Sequence, residues 1–203
     1  MDFKESQTKQ NLARAFVAEC TDGARYQFMS KDAKSKGYGF IANTLKVLAK
    51  NEMAHARVFY DLILCEGVRD CECKCGECNI DVCAGYPFTN YVLPEALDYA
   101  SKVEKHESTE VYKEFEATAL EEGFQDVAKA FHHVIQVENC HHMQLKELYE
   151  KSRAERLYKI KSGNKWKCSN CGVEIEDKCA PEICPLCNYD QGYYMVPLSD
   201  EEE

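Results

Sequence analysis

Apolar residues recur at three- and four-residue steps over four long stretches of this chain, and that period is helical. Leu12, Phe16, Ala24 and Phe28 mark the first stretch, from about Ser6 to Ser35. Gly37-Tyr38-Gly39 interrupts it. A second helix is predicted from about Phe40 to Cys65, with Ile41, Leu45, Leu48, Phe59 and Leu62 as core candidates and Gly67 as its stop. Pro94 suits the first turn of a third helix, which reaches about Glu121 and ends at Gly123. The fourth runs from about Phe124 to Glu155. Two of the connections are short turns, and the third is a long crossover, residues 68–93. That arrangement predicts a four-helix bundle made of two antiparallel pairs, the crossover letting the third helix start at the far end. Beyond Gly163 the pattern changes to short extended pieces, Cys pairs, prolines and aromatics. The expected organisation is a mainly α domain over residues 1–158 and a small second domain over 159–203.

The two helix pairs repeat one another. Glu52 and Glu138 stand 86 residues apart, as do His55 and His141, Gly37 and Gly123, and Tyr26 and Tyr112. Glu19 and Glu104 stand 85 apart. Amphipathic helices match by chance at apolar positions, but chance rarely matches Glu, His, Gly and Tyr at one offset as well. Glu52-Met-Ala-His55 and Glu138-Asn-Cys-His141 are Glu-x-x-His pairs, whose side chains lie one turn apart on one helix face. Glu19 lies 18 residues before Gly37 and Glu52 lies 15 after it; Glu104 lies 19 before Gly123 and Glu138 lies 15 after it. Residues at similar distances from a hairpin turn sit at similar height, so all four carboxylates can meet at one level inside the bundle. Apolar neighbours surround them, and a buried carboxylate cluster needs cations. One Glu from each of two helices and Glu-x-x-His from each of the other two form the donor set of di-iron carboxylate bundles. Carboxylate and imidazole suit non-haem iron or manganese, and also zinc. Glu107 adds a fifth carboxylate one turn after Glu104. Tyr26 and Tyr112 lie about two turns from Glu19 and Glu104, placed either for core packing or to hydrogen-bond the ligand carboxylates. His106, His132, His133 and His142 are assigned to surface or core.

The formal net charge of −10 argues against a nucleic-acid binder, whose affinity comes from Lys and Arg on phosphate. No stretch approaches the roughly 20 apolar residues of a membrane span. The polar start, Met1 to Gln10, has no apolar signal region, so a cytoplasmic protein is expected. Thirteen Cys in such a compartment point to metal or redox chemistry rather than structural disulfides. Cys168-Ser-Asn-Cys171-Gly172 and Cys184-Pro-Leu-Cys187-Asn188 form a strong four-thiolate metal signal. Gly172 and Asn188 suit the positive φ that follows the second Cys of such knuckles. Trp166, Tyr193 and Tyr194 give this small domain some core, but at that size the metal is its staple. Zinc there makes a structural ribbon and iron a one-electron carrier; ligand type alone leaves both open. Cys20, Cys140 and Cys179 are read as packing residues rather than ligands.

Together these residues resemble the rubrerythrin family, from about Ser6 to Pro197 outside the Cys-rich crossover. The carriers are Glu19…Tyr26, Glu52-Met-Ala-His55, Glu104-Lys-His-Glu107-Ser-Thr-Glu-Val-Tyr112, Glu138-Asn-Cys-His141 and both knuckles. The resemblance implies a ferritin-like four-helix bundle with a C-terminal rubredoxin-like domain. It implies two non-haem irons on Glu19, Glu52, His55, Glu104, Glu107, Glu138 and His141, with Tyr26 and Tyr112 behind them, and one iron on Cys168, Cys171, Cys184 and Cys187. Glu52 and Glu138 bridge the irons in that reading, and Glu107 and His55 exchange as ligands to one of them between redox states. The implied activity is a peroxidase that reduces hydrogen peroxide to water in oxidative-stress defence. Its electrons come from NAD(P)H through a reductase and often a separate rubredoxin, and the expected assembly is a homodimer or higher homo-oligomer.

Other readings of the same residues stay open. One is a ferroxidase or oxygen-reducing di-iron protein. Another is a non-enzymatic iron or zinc protein, zinc being able to replace iron at either site. Cys71, Cys73, Cys75, Cys78 and Cys83, with Cys65 just upstream, have no counterpart in the resemblance. They read as an exposed oxidisable insertion, a third metal site or a redox-active dithiol.

Overall fold

The structure, a computed structural model, describes residues 2–69, 79–83, 85–86, 88, 92–159 and 165–198. Helix α1 spans Gln7–Ser35 and α2 spans Gly39–Leu64. The third rod is α3, Glu95–His106, a π-helical turn, Glu107–Val111, and α4, Tyr112–Glu122. The fourth is α5, Gln125–Arg153. A two-stranded antiparallel sheet follows, β1 (Lys165–Lys167) against β2 (Glu174–Glu176), with Trp166 opposite Ile175.

Local chemistry fixes the ends. Ser6 caps α1 by accepting from Lys9 N. Glu122, at the end of α4, accepts from Gln7 N (3.0 Å), Thr8 N (2.8 Å) and Thr8 Oγ1 (2.6 Å), so the third rod also caps the first. Both hairpin turns pass through glycines with positive φ, Gly37 at 83° and Gly123 at 90°. Tyr38 N then reaches back to Ala33 O and Phe124 N to Ala119 O, closing the spent carbonyls of each helix.

The apolar interior is split in two. One cluster gathers Leu12, Phe59, Tyr112, Phe115, Phe131 and Val134; the other gathers Tyr26, Ile41, Leu45, Leu48, Leu97, Leu145 and Leu148. In every rod the division falls at the predicted glutamate: Glu19, Glu52, Glu104 and Glu138. Gly23 lets α1 and α2 approach beside that level, since a Cβ there would lie 3.3 Å from Met53 Sδ and 3.5 Å from Glu52 Cβ. All five core candidates of the second helix are buried, but Phe28 is 62% exposed: helical periodicity placed it on the inner stripe, and the long α1 turns it outward.

In the C-terminal domain Trp166 and Tyr194 are fully buried, while Tyr193 is partly buried against the same cluster. Gly172 (79°) and Asn188 (57°) take the expected positive φ. The domain abuts the first hairpin. Gly192 meets Gly37 so closely that a Cβ would overlap its carbonyl oxygen, Tyr193 covers Gly39, and Val196 joins the second bundle cluster. Cys140 and Cys179 are exposed, which corrects their reading as packing residues. Among the described residues no helix is long and apolar enough to cross a membrane.

Candidate functional site

Glu19, Glu52, Glu104 and Glu138 are each 3% exposed or less, and they converge between the two apolar clusters. His55 Nδ1 lies 3.2 Å from Glu19 Oε2, 3.2 Å from Glu52 Oε2 and 2.9 Å from Glu138 Oε1. His141 Nδ1 lies 3.1 Å from Glu52 Oε1, 2.8 Å from Glu138 Oε2 and 3.7 Å from Glu104 Oε2. Two four-donor groups result: Glu19, Glu52, His55, Glu138 and Glu52, Glu104, Glu138, His141. Within each group the donor atoms all lie within 4.8 Å of one another. Glu52 and Glu138 belong to both.

Other side chains orient this cluster. Tyr112 Oη donates to Glu19 Oε1 (2.5 Å), and Tyr26 Oη donates to Glu104 Oε1. Each tyrosine thus serves the glutamate of the opposite helix pair. Asn51 Nδ2 sits 3.2 Å from His141 Nε2, on the far side of the ring from the carboxylates. Asn51 escaped the sequence reading because an Asn beside a Glu-x-x-His has no spacing of its own to flag it. Glu107, at the start of the π turn, belongs to neither donor group.

The electrostatics are those of a cluster that wants cations. Burial, then the neighbouring carboxylates, hold Glu19 and Glu104 well above the usual carboxylate range, against the pull of their histidines. Glu107 is raised by burial and then by Asp22. Burial would depress His55 and His141, but hydrogen bonds to the surrounding carboxylates push both up to about 12. Burial would raise Glu138, but bonds from His141 and His55 bring it down to about 2. Glu52 Oε1, Glu104 Oε2, both Glu138 oxygens and His141 Nδ1 are buried with no hydrogen-bond partner of good geometry. Such orphans are costly in an apolar interior. Two cations shared by Glu52 and Glu138 would satisfy them, so the donor set fits a di-iron carboxylate centre.

The knuckles bring Cys168, Cys171, Cys184 and Cys187 together. Cys168 Sγ lies 3.8 Å from Cys187 Sγ, and Cys171 Sγ lies 3.6 Å from Cys184 Sγ. A tetrahedron with metal–sulfur bonds of about 2.3 Å has edges of about 3.8 Å. Burial would raise the Cys184 thiol, but backbone N–H groups of Cys187 and Leu186 bring it down to about 6, ready to ligate.

Cys71, Cys73, Cys75 and Cys78 lie outside the described residues. Cys83 is free and exposed, and Cys65, at the end of α2, is disulfide-bonded. His142 is held by Ser101, and His132 pairs with Glu116 at the surface, both away from the cluster.

Fold and donor sets together define a ferritin-like di-iron carboxylate protein with a rubredoxin-like four-cysteine domain. The family model described as Rubrerythrin matches residues 10–149, and that described as Rubrerythrin, rubredoxin-like domain matches residues 166–195. The chain is 35% identical over 194 residues to Rubrerythrin-1 of Clostridium acetobutylicum, covering 96% of each. It is 32% identical over 198 residues to the rubrerythrin of Clostridium perfringens, again covering 96% of each. The chain belongs to the rubrerythrin family. Among solved structures, fully reduced, all-ferrous nigerythrin shares the fold with a TM-score of 0.61 at 23% identity, over 97% of this chain and 94% of that one. A Desulfovibrio desulfuricans bacterioferritin shares it with a TM-score of 0.54 at 20% identity, over 74% and 86%.

Proposed function

We propose that this protein is a non-haem di-iron peroxidase that reduces hydrogen peroxide to water. The observation that carries the reading is the sharing of Glu52 and Glu138 between two four-donor groups, beside a four-sulfur site in the same chain. Family membership, whose members are generally oxidoreductases, supports it. In this reading the bundle, residues 1–158, holds the catalytic centre, and residues 159–203 hold the iron that feeds it.

Two ferrous ions held in the bundle would supply the two electrons that split the O–O bond, and an iron held by the four thiolates would return them one at a time. The chain's own residues do the rest. Glu52 and Glu138, common to both donor groups, would hold both ions and keep the two positions close enough to share one two-oxygen substrate. Glu19 with His55, and Glu104 with His141, close the ends. Tyr112 and Tyr26 fix the terminal carboxylates, and Asn51 fixes the His141 ring with Nδ1 facing the centre. A cavity of about 580 Å³ lies beside Glu107 and Tyr112, walled mainly by Ala15, Ala18, Val103, Val111 and Phe115, with Arg14, Lys102 and His106 also lining it. A rubredoxin or an NAD(P)H-dependent reductase in the cytoplasm is the proposed donor.

Anaerobic stopped-flow mixing of the fully reduced protein with peroxide or with oxygen tests the assignment. Peroxide is expected to reoxidise the centre faster. A clear preference for oxygen overturns the assignment in favour of an oxidase.

A further inference from the structure

The cavity of about 580 Å³ lies between α1 and the third rod. On α1 only the methyl groups of Ala15 and Ala18 line it, just before Glu19. Val103, Val111, Tyr112 and Phe115 of the third rod stand across from them. The lining is graded. Ala15, Tyr112 and Phe115 are buried, while Arg14, Lys102 and His106 are exposed. Two of those three charges are already met: Lys102 Nζ lies 2.6 Å from Asp98 Oδ2, and His106 Nδ1 lies 3.4 Å from Glu110 Oε2. An apolar floor behind paired charges suits an uncharged body better than an anion.

That floor is one side chain away from the metal donors. Tyr112 forms part of it, and the Tyr112 hydroxyl donates to Glu19 Oε1 at 2.5 Å. Hydrogen peroxide makes little use of such a space. It is about the size of one or two water molecules, at roughly 30 Å³ each, and apolar walls satisfy neither of its hydroxyls. Apolar cavities of roughly 300–1,000 Å³ are the usual sites of small organic molecules. We propose that this cavity holds the carbon part of an uncharged organic hydroperoxide, ROOH, with its O–O end toward Glu19, and that such compounds are substrates beside hydrogen peroxide. The O–O bond breaks. Two electrons from the reduced centre and two protons convert ROOH into one alcohol, ROH, and one water. The carbon part stays with the alcohol and leaves through the same cavity. Ala18 and Val103, on opposite walls, then set which R groups fit. The inference rests on the peroxidase reading of the cluster.

Anaerobic stopped-flow mixing of the ferrous-loaded full chain with cumene hydroperoxide and, separately, with hydrogen peroxide tests it. Both are expected to reoxidise the unmodified protein, the first with release of cumyl alcohol. Ala18→Phe and Val103→Trp each fill the cavity from one side. In each, the ratio of the cumene hydroperoxide rate constant to that of hydrogen peroxide is expected to fall roughly tenfold or more. A variant that only loosened the bundle would slow both alike, and either variant suffices should the other not fold. Calorimetry gives a readout apart from turnover: cumyl alcohol is expected to bind the oxidised, iron-loaded protein and to bind the variants at least roughly tenfold more weakly. Reoxidation by hydrogen peroxide but not by cumene hydroperoxide, or a ratio that filling the cavity leaves unchanged, overturns this inference alone. Reoxidation by neither compound overturns the peroxidase reading, and the inference with it.

Discussion

Tyr112 and Tyr26 each spend a buried hydroxyl on a glutamate of the opposite helix pair, so the two halves of the site hold one another in place. Tyr112→Phe removes the bond to Glu19 and leaves its carboxylate oxygen dry. Iron affinity in the bundle is expected to fall roughly 10- to 100-fold, as for other partners of metal ligands. The chelated protein should lose about 1–3 kcal/mol in a urea titration; unaltered affinity and stability would deny the bond any role. Protonation gives a second prediction at this scale. His55 and His141 are pushed up to about 12, and Glu19 and Glu104 are raised as well. A group raised on folding stabilises fully below its unfolded pKa and loses that contribution as pH climbs toward the folded value. The unfolded histidines titrate near pH 6.5, so between about pH 6.5 and 9 the chelated bundle should lose on the order of 1 kcal/mol per pH unit per imidazole. Glu138, lowered to about 2, has the opposite sign but contributes its change only at acid pH. Melting followed by helical circular dichroism checks this: the chelated protein should melt lower at pH 9 than at pH 6.5, and iron loading should release protons. A flat or rising melting temperature contradicts the expected charge state. The glutamates and histidines of the cluster were legible in the sequence because metal ligation imposes both residue type and spacing. Asn51 was not, since a single polar residue on a helix carries no period, and only its contact with His141 exposes its role.

The helices themselves followed from apolar period, glycine stops and the N-cap at Ser6. What the period hid was the π turn at Glu107–Val111, which divides the third rod. Its trace is nonetheless in the sequence. Glu19 and Tyr26 are seven residues apart, but Glu104 and Tyr112 are eight apart, and the internal offset grows from 85 to 86 across the segment. One extra residue in a helix whose flanks keep their facing is a π bulge. It turns Glu107 out of line with Glu104 while Tyr112 still reaches Glu19. At the neighbouring crossing, Gly23 sets how closely α1 passes Glu52. Gly23→Ala asks only a small shift of the flexible Met53 end, and helix propensity returns about 1 kcal/mol. Its stability should be nearly unchanged. Gly23→Leu should push the helices apart at the site, costing about 1–3 kcal/mol and lowering iron content. Chemical denaturation with metal analysis distinguishes the two; equal behaviour would mean that the close approach does not matter to the site.

At the scale of the whole molecule, one chain joins a two-ion donor set in the bundle to a four-thiolate site in the C-terminal domain, which in the proposed function split a peroxide and deliver single electrons. Gly192 and Tyr193 bring the C-terminal domain against the first hairpin, a contact the sequence did not reveal because it depends on how two separately legible pieces meet. The division of labour predicts the behaviour of Cys184→Ser. It should lose the visible thiolate–iron bands and slow multiple turnovers with a reduced donor. A single turnover of the prereduced bundle should proceed as before. A slowed single turnover would instead give the thiolate iron a part in the peroxide step. The central claim is that Glu52 and Glu138 hold two irons between them while four cysteines hold a third. Anomalous diffraction at the iron edge, from crystals of the natively loaded protein, tests it directly. The expected map has two iron peaks flanked by Glu52 and Glu138 and one inside the tetrahedron of Cys168, Cys171, Cys184 and Cys187. A single peak or none in the bundle, or scattering that appears only at the zinc edge, contradicts it.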